Sequence, residues 1–232
     1  LSRRGTYACM IGLLCGYPAG VKTAADLRRE NLLSETEARA LIPCLSFPSP
    51  MFLTGYIYAG LLAQAVPFWK IALSVYLPPF AALSVSARAS GRKKKNTLDP
   101  NLSDRPEKLP FGRALDEILT DSCLAAVKIG LLMMLFSILT VLFRQLLPDL
   151  PLLQMGIGGV LEMTTGSFLA AKSTLSPSLK TTCIVFFICF GGLSVTAQSL
   201  SAGKELPLPS FRYLAWKLYH GLASALLSLL LC

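Results

Sequence analysis

The sequence contains few charged residues and a single histidine. Charged side chains make up 15% of the 232 residues, whereas hydrophobic side chains make up 53%, and the mean hydropathy is +0.56. A soluble domain of this size is excluded, because one modest core cannot bury so much apolar surface. The sequence has no HExxH motif, no pair of intramembrane aspartates, and only His220 to serve as a base. We therefore expect a membrane protein that is not an enzyme.

Paired cysteine spacing is also missing from the chain. Seven cysteines are scattered along the sequence, none of them forms a CxxC motif, and most lie in apolar stretches. This odd, unpaired set supports neither a zinc site nor a disulfide framework. We expect small buried thiols, no metal and no cofactor.

Charged residues cluster and leave long uncharged windows, which run over 5–21, 40–69, 71–87, 129–143, 181–203 and 221–232. A transmembrane helix needs roughly 20 mainly apolar residues, so several windows can cross a bilayer. The net charge of +9 is concentrated beside one of them, at Arg88 and residues 92–95. A basic run next to an apolar span indicates a cytoplasmic loop that touches anionic lipid. We expect lipid rather than nucleic acid as the partner of these charges.

Counting membrane crossings from this loop divides the chain into two halves. The first half, 1–87, is predicted to contain a hairpin at 11–25, a polar arm at 26–39, and helices at 41–63 and 67–87. A cytoplasmic basic linker follows at 88–110. The second half, 111–232, is predicted to contain a helix at 122–143, a hairpin at 156–172, and helices at 179–199 and 211–231. Because the chain begins at Leu1 instead of Met, we expect a piece that lacks upstream residues rather than a signal peptide.

Each predicted hairpin contains central glycines, and each is followed by a spanning segment that is broken in its middle. The breaks are SFPSP at 46–50 and FGGLS at 190–194. Proline removes a backbone donor and paired glycines relax a helix, so both breaks free polar backbone groups at mid-depth. Such groups are tolerated only where protein or a wet cavity receives them. The pattern predicts an all-α membrane protein with inverted repeats, one hairpin entering from each side, although simple helix kinks would leave the same signature.

Polar side chains and glycines beside these breaks are the candidate solute-binding residues. Glu162 would carry a coupling proton or cation, or it would cap the short helix that follows it. The hydroxyl and amide groups of Thr164 and Thr165 would bind an anion, or bond within their own helix. Lys22 and Lys172, which end the hairpins, would attract a dicarboxylate or reach the headgroups. The candidates are Gly16, Tyr17, Pro18, Gly20, Ser46, Ser49, Glu162, Thr164, Thr165, Gly191, Gly192, Ser194 and Gln198, the last two of which would bind a carboxylate or only pack between helices.

Several stretches resemble known bacterial membrane proteins. GLLCGYPAGVKTAADL at 12–27, with the charged arm and broken helix after it, resembles the nucleoside-recognition, or Gate, domain. GVLEMTTG at 159–166, FGGLSVTAQ at 190–198 and YLAWKLYHGLASALL at 213–227 resemble the YlbJ-like sporulation integral membrane proteins of endospore-forming bacteria. The chain departs from the family at 47–50, where an Asn-containing stretch is expected and where Ser46 and Ser49 are the polar groups present.

The resemblance implies a role in spore maturation, in the cell membrane or the membrane around the forespore, with dipicolinate as the transported solute. Family members are also longer at the amino end. The predicted function is transport of a small polar or anionic solute. The alternatives are a non-transporting structural or assembly protein of the spore envelope, or a nucleoside-type permease. A transporter should gather its polar groups at one cavity, whereas a scaffold should bury them singly.

Overall fold

A computed structural model describes residues 2–91, 110–204, 206 and 209–232, and these residues form helices without any strand. Most of the predicted basic linker, 92–109, lies outside the described residues. The helices are α1 (Arg3–Cys15), α2 (Ala19–Arg29), α3 (Glu35–Leu41), a π-helix (Phe52–Leu61), α4 (Phe68–Gly91), α5 (Phe111–Leu146), α6 (Pro151–Leu161), α7 (Met163–Lys172), α8 (Pro177–Phe190), α9 (Gly192–Ala202) and α10 (Ser210–Leu231).

The first helix pair, α1 and α2, reverses direction over residues 16–18. Gly16 has a φ of 74°, a backbone conformation that favours glycine because it lacks a Cβ. The two helices then touch at glycines, since a Cβ on Gly20 would lie only 2.7 Å from the Gly12 Cα. The pair begins at Arg3 rather than at the predicted residue 11, because Ser2 caps α1 by accepting a hydrogen bond from the Gly5 amide.

The polar arm contains α3, whose start is fixed by capping. The Ser34 hydroxyl accepts a hydrogen bond from the Glu37 amide at 3.3 Å. The Glu37 carboxylate accepts from the Ser2 amide at the start of α1, so α1 and α3 are joined at their ends. Leu33, Ala38 and Leu41 pack with residues of α1 and α2 in a small apolar cluster.

Residues 41–63 do not form the predicted spanning helix. A 3₁₀ turn at Ile42–Cys44 is followed by a non-helical stretch over 45–49 and then by the π-helix Phe52–Leu61. Pro43, Pro48 and Pro50 explain the difference, because a proline cannot donate the hydrogen bond that continues a helix. The helical part that remains is too short to cross a bilayer alone.

The second helix pair, α6 and α7, meets at Glu162, which has extended backbone dihedrals between the two helices. These helices also touch at glycines, because a Cβ on Gly166 would collide with the Gly159 backbone. Further along the chain, α8 ends and α9 begins at Gly191. Gly191 and Gly192 have φ values of 81° and 69°, so the chain breaks within the predicted stretch 190–194.

Within the described residues, four segments are long and apolar enough to cross a membrane: Phe68–Val85, Phe111–Leu146, Pro177–Ala202 and Ser210–Leu231. The third includes the α8–α9 break. α5 begins at Phe111 instead of the predicted residue 122, because the amphipathic stretch before the apolar window continues the same helix. At 36 residues it is roughly 54 Å long and exceeds the bilayer core. α10 packs against α8 and α4, while the outer face of α5 exposes apolar side chains suited to lipid.

Candidate functional site

The four interruptions of the helices lie against one another in pairs. A Cβ on Gly16 would lie 2.9 Å from the Ser49 amide nitrogen, so the turn of the first helix pair touches the non-helical stretch 45–49. A Cβ on Gly192 would lie 3.1 Å from the Leu161 carbonyl oxygen, so the α8–α9 break touches the turn of the second pair. Each half therefore brings its two interruptions into contact.

Tyr17 connects these two sets of breaks. Its hydroxyl donates a hydrogen bond to the Met163 sulfur, beside Glu162. The same hydroxyl lies 3.5 Å from the carbonyl oxygen of Ile188, three residues before the α8–α9 break. A second tyrosine, Tyr56 of the π-helix, donates to the Thr164 carbonyl oxygen at 3.4 Å. The first helix pair and the π-helix thus contact the start of α7 through tyrosine hydroxyls, and the Tyr17 hydroxyl also reaches the end of α8.

α10 supplies the buried cation of this region. The Lys217 ammonium donates a hydrogen bond to the Ser46 carbonyl oxygen at 3.0 Å, and it lies 5.2 Å from the centroid of the Tyr17 ring. The Ser46 hydroxyl is hydrogen-bonded to the hydroxyl of Tyr213. Both polar groups of Ser46 are therefore bonded to α10. Tyr76 of α4 donates to the Pro48 carbonyl oxygen at 3.0 Å.

Glu162 binds the start of its own helix. One carboxylate oxygen accepts from the Thr164 amide at 3.1 Å, and the other accepts from the Thr165 amide at 2.8 Å. The hydroxyls of Thr164 and Thr165 donate to the same carboxylate. The donors that we assigned to a solute anion are bonded to Glu162 in this conformation, so the geometry is that of a helix cap.

The other predicted site residues lie around these contacts. Ser49 accepts a hydrogen bond from the Phe52 amide at 3.2 Å and so begins the next helix. The Gln198 amide donates to the Ser194 hydroxyl at 3.1 Å, one turn apart on α9. Gly20 packs against the Leu45 carbonyl oxygen. Of the thirteen predicted residues, three line the open cavity described next: Tyr17, Pro18 and Gln198.

A cavity of about 500 Å³ lies between α2, α5 and α9. Tyr17 and Pro18, in the turn of the first helix pair, and Gln198 of α9 form part of its wall. Its lining also includes four cationic and two acidic side chains, of which Asp26 pairs with Lys22 at 3.0 Å and with Arg29 at 3.4 Å. The charged residues that line it are Lys22, Asp26, Arg29, Asp121, Lys128 and Lys204.

Sequence reasoning missed the polar face of α10. Five polar side chains recur every three or four residues along this helix, and all are at most 1% exposed. The signal was present in the sequence as a lysine and a histidine within an apolar span, which is costly in a membrane. His220 shares a hydrogen bond with the Val75 carbonyl oxygen at 3.0 Å and so packs inside the protein rather than at a membrane interface. The face comprises Tyr213, Lys217, His220, Ser224 and Ser228.

Apolar spanning helices and buried polar groups together define a multi-pass integral membrane protein. A curated protein of Bacillus subtilis (strain 168), the sporulation integral membrane protein YlbJ, is 27% identical to this chain over 264 residues. The match covers 98% of this chain and 64% of the length of that protein. It supports the predicted assignment to the YlbJ-like sporulation integral membrane proteins. No protein-family model matches the chain, and no solved structure matches it.

Proposed function

We propose that this protein transports a small organic anion across a membrane during sporulation. By resemblance to its family, the anion is dipicolinate, and the membrane is the one around the forespore. The proposal gives the protein no catalytic step. The observation that carries it is that Tyr17 and Lys217 connect the helix interruptions of the two halves, next to a cavity that Tyr17 lines. Unpaired backbone groups at membrane depth mark a place that receives a polar solute.

The two halves support an inverted-repeat organisation. Each half has a helix pair whose arms touch at two glycines, Gly12 with Gly20 and Gly159 with Gly166. Each pair is followed by an interrupted segment, at 45–49 and at Gly191. In inverted-repeat transporters, the broken helices of the two repeats form the solute site near the midplane. Contact between the interruptions of both halves is the arrangement that this mechanism requires.

The charge of the cavity supports an anionic solute. Four cationic side chains line it against two acidic ones, and Asp26 is already paired. An excess of positive charge around a cleft raises the local concentration of anions. The cavity also lies beside the amino-terminal part of α5, the side on which we predict the cytoplasmic linker, so it would admit a solute from the cytoplasm.

Uptake by proteoliposomes that contain the full-length protein tests the proposal. We expect labelled dipicolinate to enter faster than labelled uridine, which is neutral. Lys128→Glu should lower dipicolinate uptake severalfold, because it reverses a charge on the cavity wall. Lys180→Glu, at a lysine outside that cavity, is the matched control and should transport normally.

Two results would contradict the proposal in different ways. Uptake of uridine but not dipicolinate would favour a nucleoside-type permease. Uptake of neither solute by folded protein would favour a structural or assembly role in spore maturation.

A further inference from the structure

Lys217 is a fully buried lysine that has no acidic partner in the part of the chain that the structure describes. It is 0% exposed, and the ion pairs between described residues all lie among residues 22–39, far from it along the chain. Its only hydrogen bond among the described residues is to the Ser46 carbonyl oxygen. An ammonium group has three donors and is costly to bury without an anion. The side chain is therefore incompletely satisfied at its present position.

The position of Lys217 is central rather than peripheral. A lysine in a membrane helix usually extends toward the headgroups, but the ammonium of Lys217 faces the non-helical stretch 45–49. On its other side, a Cβ on Gly191 would lie 3.4 Å from the lysine Cε. Lys217 thus lies against the interruptions of both halves, where a solute carboxylate would be shared by the two repeats.

Tyr17 lies next to both this lysine and the open cavity, and we infer that it separates them. The Tyr17 side chain forms part of the cavity wall, and its ring also lies within cation–π distance of the Lys217 ammonium. A rotation of the Tyr17 side chain would remove this partition. The charged cavity would then be continuous with the buried lysine.

We propose that Lys217 binds a carboxylate group of the transported anion and that Tyr17 is the gate that closes over it. In the present conformation the Ser46 carbonyl oxygen takes the position of a solute oxygen. A carboxylate would replace a neutral acceptor with a charged one and so form a stronger, charge-assisted hydrogen bond. This inference rests on the proposed function and names the anion-binding residue of that site.

Three substitutions at Lys217 separate charge from structure in the dipicolinate uptake assay. Lys217→Met removes the charge and the donor, Lys217→Gln keeps a donor for the Ser46 carbonyl oxygen, and Lys217→Arg keeps the charge. We expect Lys217→Met and Lys217→Gln to lose roughly tenfold or more of uptake, as loss of a charged hydrogen bond predicts, and Lys217→Arg to keep part of it.

Lys70 provides a matched control. It is also a lysine whose ammonium donates to a backbone carbonyl oxygen, that of Leu231, but it lies away from the interruptions. Lys70→Met should therefore retain uptake close to that of the unsubstituted protein. Normal uptake by Lys217→Gln would overturn the inference and leave Lys217 as a structural link between α10 and Ser46.

Chemical modification tests the gate with Lys217 left in place, so the result does not depend on whether the Lys217 variants fold. Trinitrobenzenesulfonate is a small anion that reacts with amines, and mass spectrometry reports its attachment to each lysine. We expect Tyr17→Ala to accelerate modification of Lys217 at least severalfold, and dipicolinate to protect it, while modification of Lys70 stays unchanged. The inference would be refuted if Tyr17→Ala left the rate of Lys217 modification unchanged, or if dipicolinate did not slow that modification. Failure of the proposed function is distinct, because the unsubstituted protein would then take up no dipicolinate.

Discussion

Glu162 illustrates how one residue supports two interpretations until its neighbours are known. A carboxylate within an apolar hairpin is costly, and that cost indicated a functional group. Its oxygens accept four hydrogen bonds, all from Thr164 and Thr165. These bonds offset the cost of burial locally, so the geometry supports the capping role.

Glu162→Gln should weaken the start of α7. The glutamine side chain has one acceptor oxygen, and its NH₂ group cannot accept from the amides and hydroxyls that bond the second carboxylate oxygen now. We expect a loss of about 1–2 kcal/mol in stability, seen as a lower unfolding temperature of the detergent-solubilised protein. Dipicolinate uptake per folded molecule should stay near normal. An inability of the variant to accumulate dipicolinate against a gradient, at equal abundance of folded protein, would instead assign Glu162 the coupling proton or cation.

The break between α8 and α9 falls at two adjacent glycines, and their backbone conformation decides where α8 ends. α8 and α9 would form one apolar span if Gly191 and Gly192 adopted helical dihedrals. Their φ values are positive instead, and α8 ends there. Its last hydrogen bond runs from the Gly191 amide to the Phe187 carbonyl oxygen at 2.7 Å. Gly192 then packs tightly against the backbone of α6, where a Cβ would lie 3.1 Å from the Leu161 carbonyl oxygen.

The double substitution of Gly191 and Gly192 with alanine should disfavour this break. Each alanine at positive φ costs about 1–2 kcal/mol, and the Cβ at position 192 also meets the Leu161 carbonyl oxygen. We expect a lower unfolding temperature and loss of uptake, with normal membrane insertion. Gly130→Ala is the control, because no atom lies within 4 Å of a Cβ at that position of α5. Full uptake by the double variant would reduce the break to an ordinary kink.

At the scale of the whole molecule, the second helix pair tests the topology. α6 and α7 have 11 and 10 residues, or roughly 15–17 Å each, about half of the bilayer core. If the pair is re-entrant, Asp149 before it and Ser176 after it lie on the same side of the membrane. The predicted cytoplasmic position 93 lies on the other side.

Single cysteines at positions 93, 149 and 176, in a background free of the seven native cysteines, can be labelled with a membrane-impermeant maleimide. We expect 149 and 176 to react from the outside and 93 only after permeabilisation. Reaction of 149 and 176 from opposite sides would mean that α6 and α7 cross as one span. The inverted-repeat proposal would then fail.

Much of the architecture follows from local sequence. Apolar windows determine the spanning helices, and the predicted all-helical membrane class is confirmed. A relative that is 27% identical supports the YlbJ-like assignment. Inverted repeats and transport remain predictions. Helix ends were harder to predict, as at Phe111 and at 41–63, because a charged amphipathic turn continues a helix while closely spaced prolines prevent one.

The sequence by itself therefore determined the features that depend on neighbours within a few residues. These are the apolar spans, the helix caps, and the glycine and proline positions where helices break. Tertiary structure alone decided that Tyr17, Ser46, Gly191 and Lys217 meet, although up to 200 residues separate them. The physical reason is that a freed carbonyl or a buried ammonium specifies only that it needs a partner. Which partner it finds depends on how the helices pack, and that packing brought an unforeseen lysine to the middle of the predicted site.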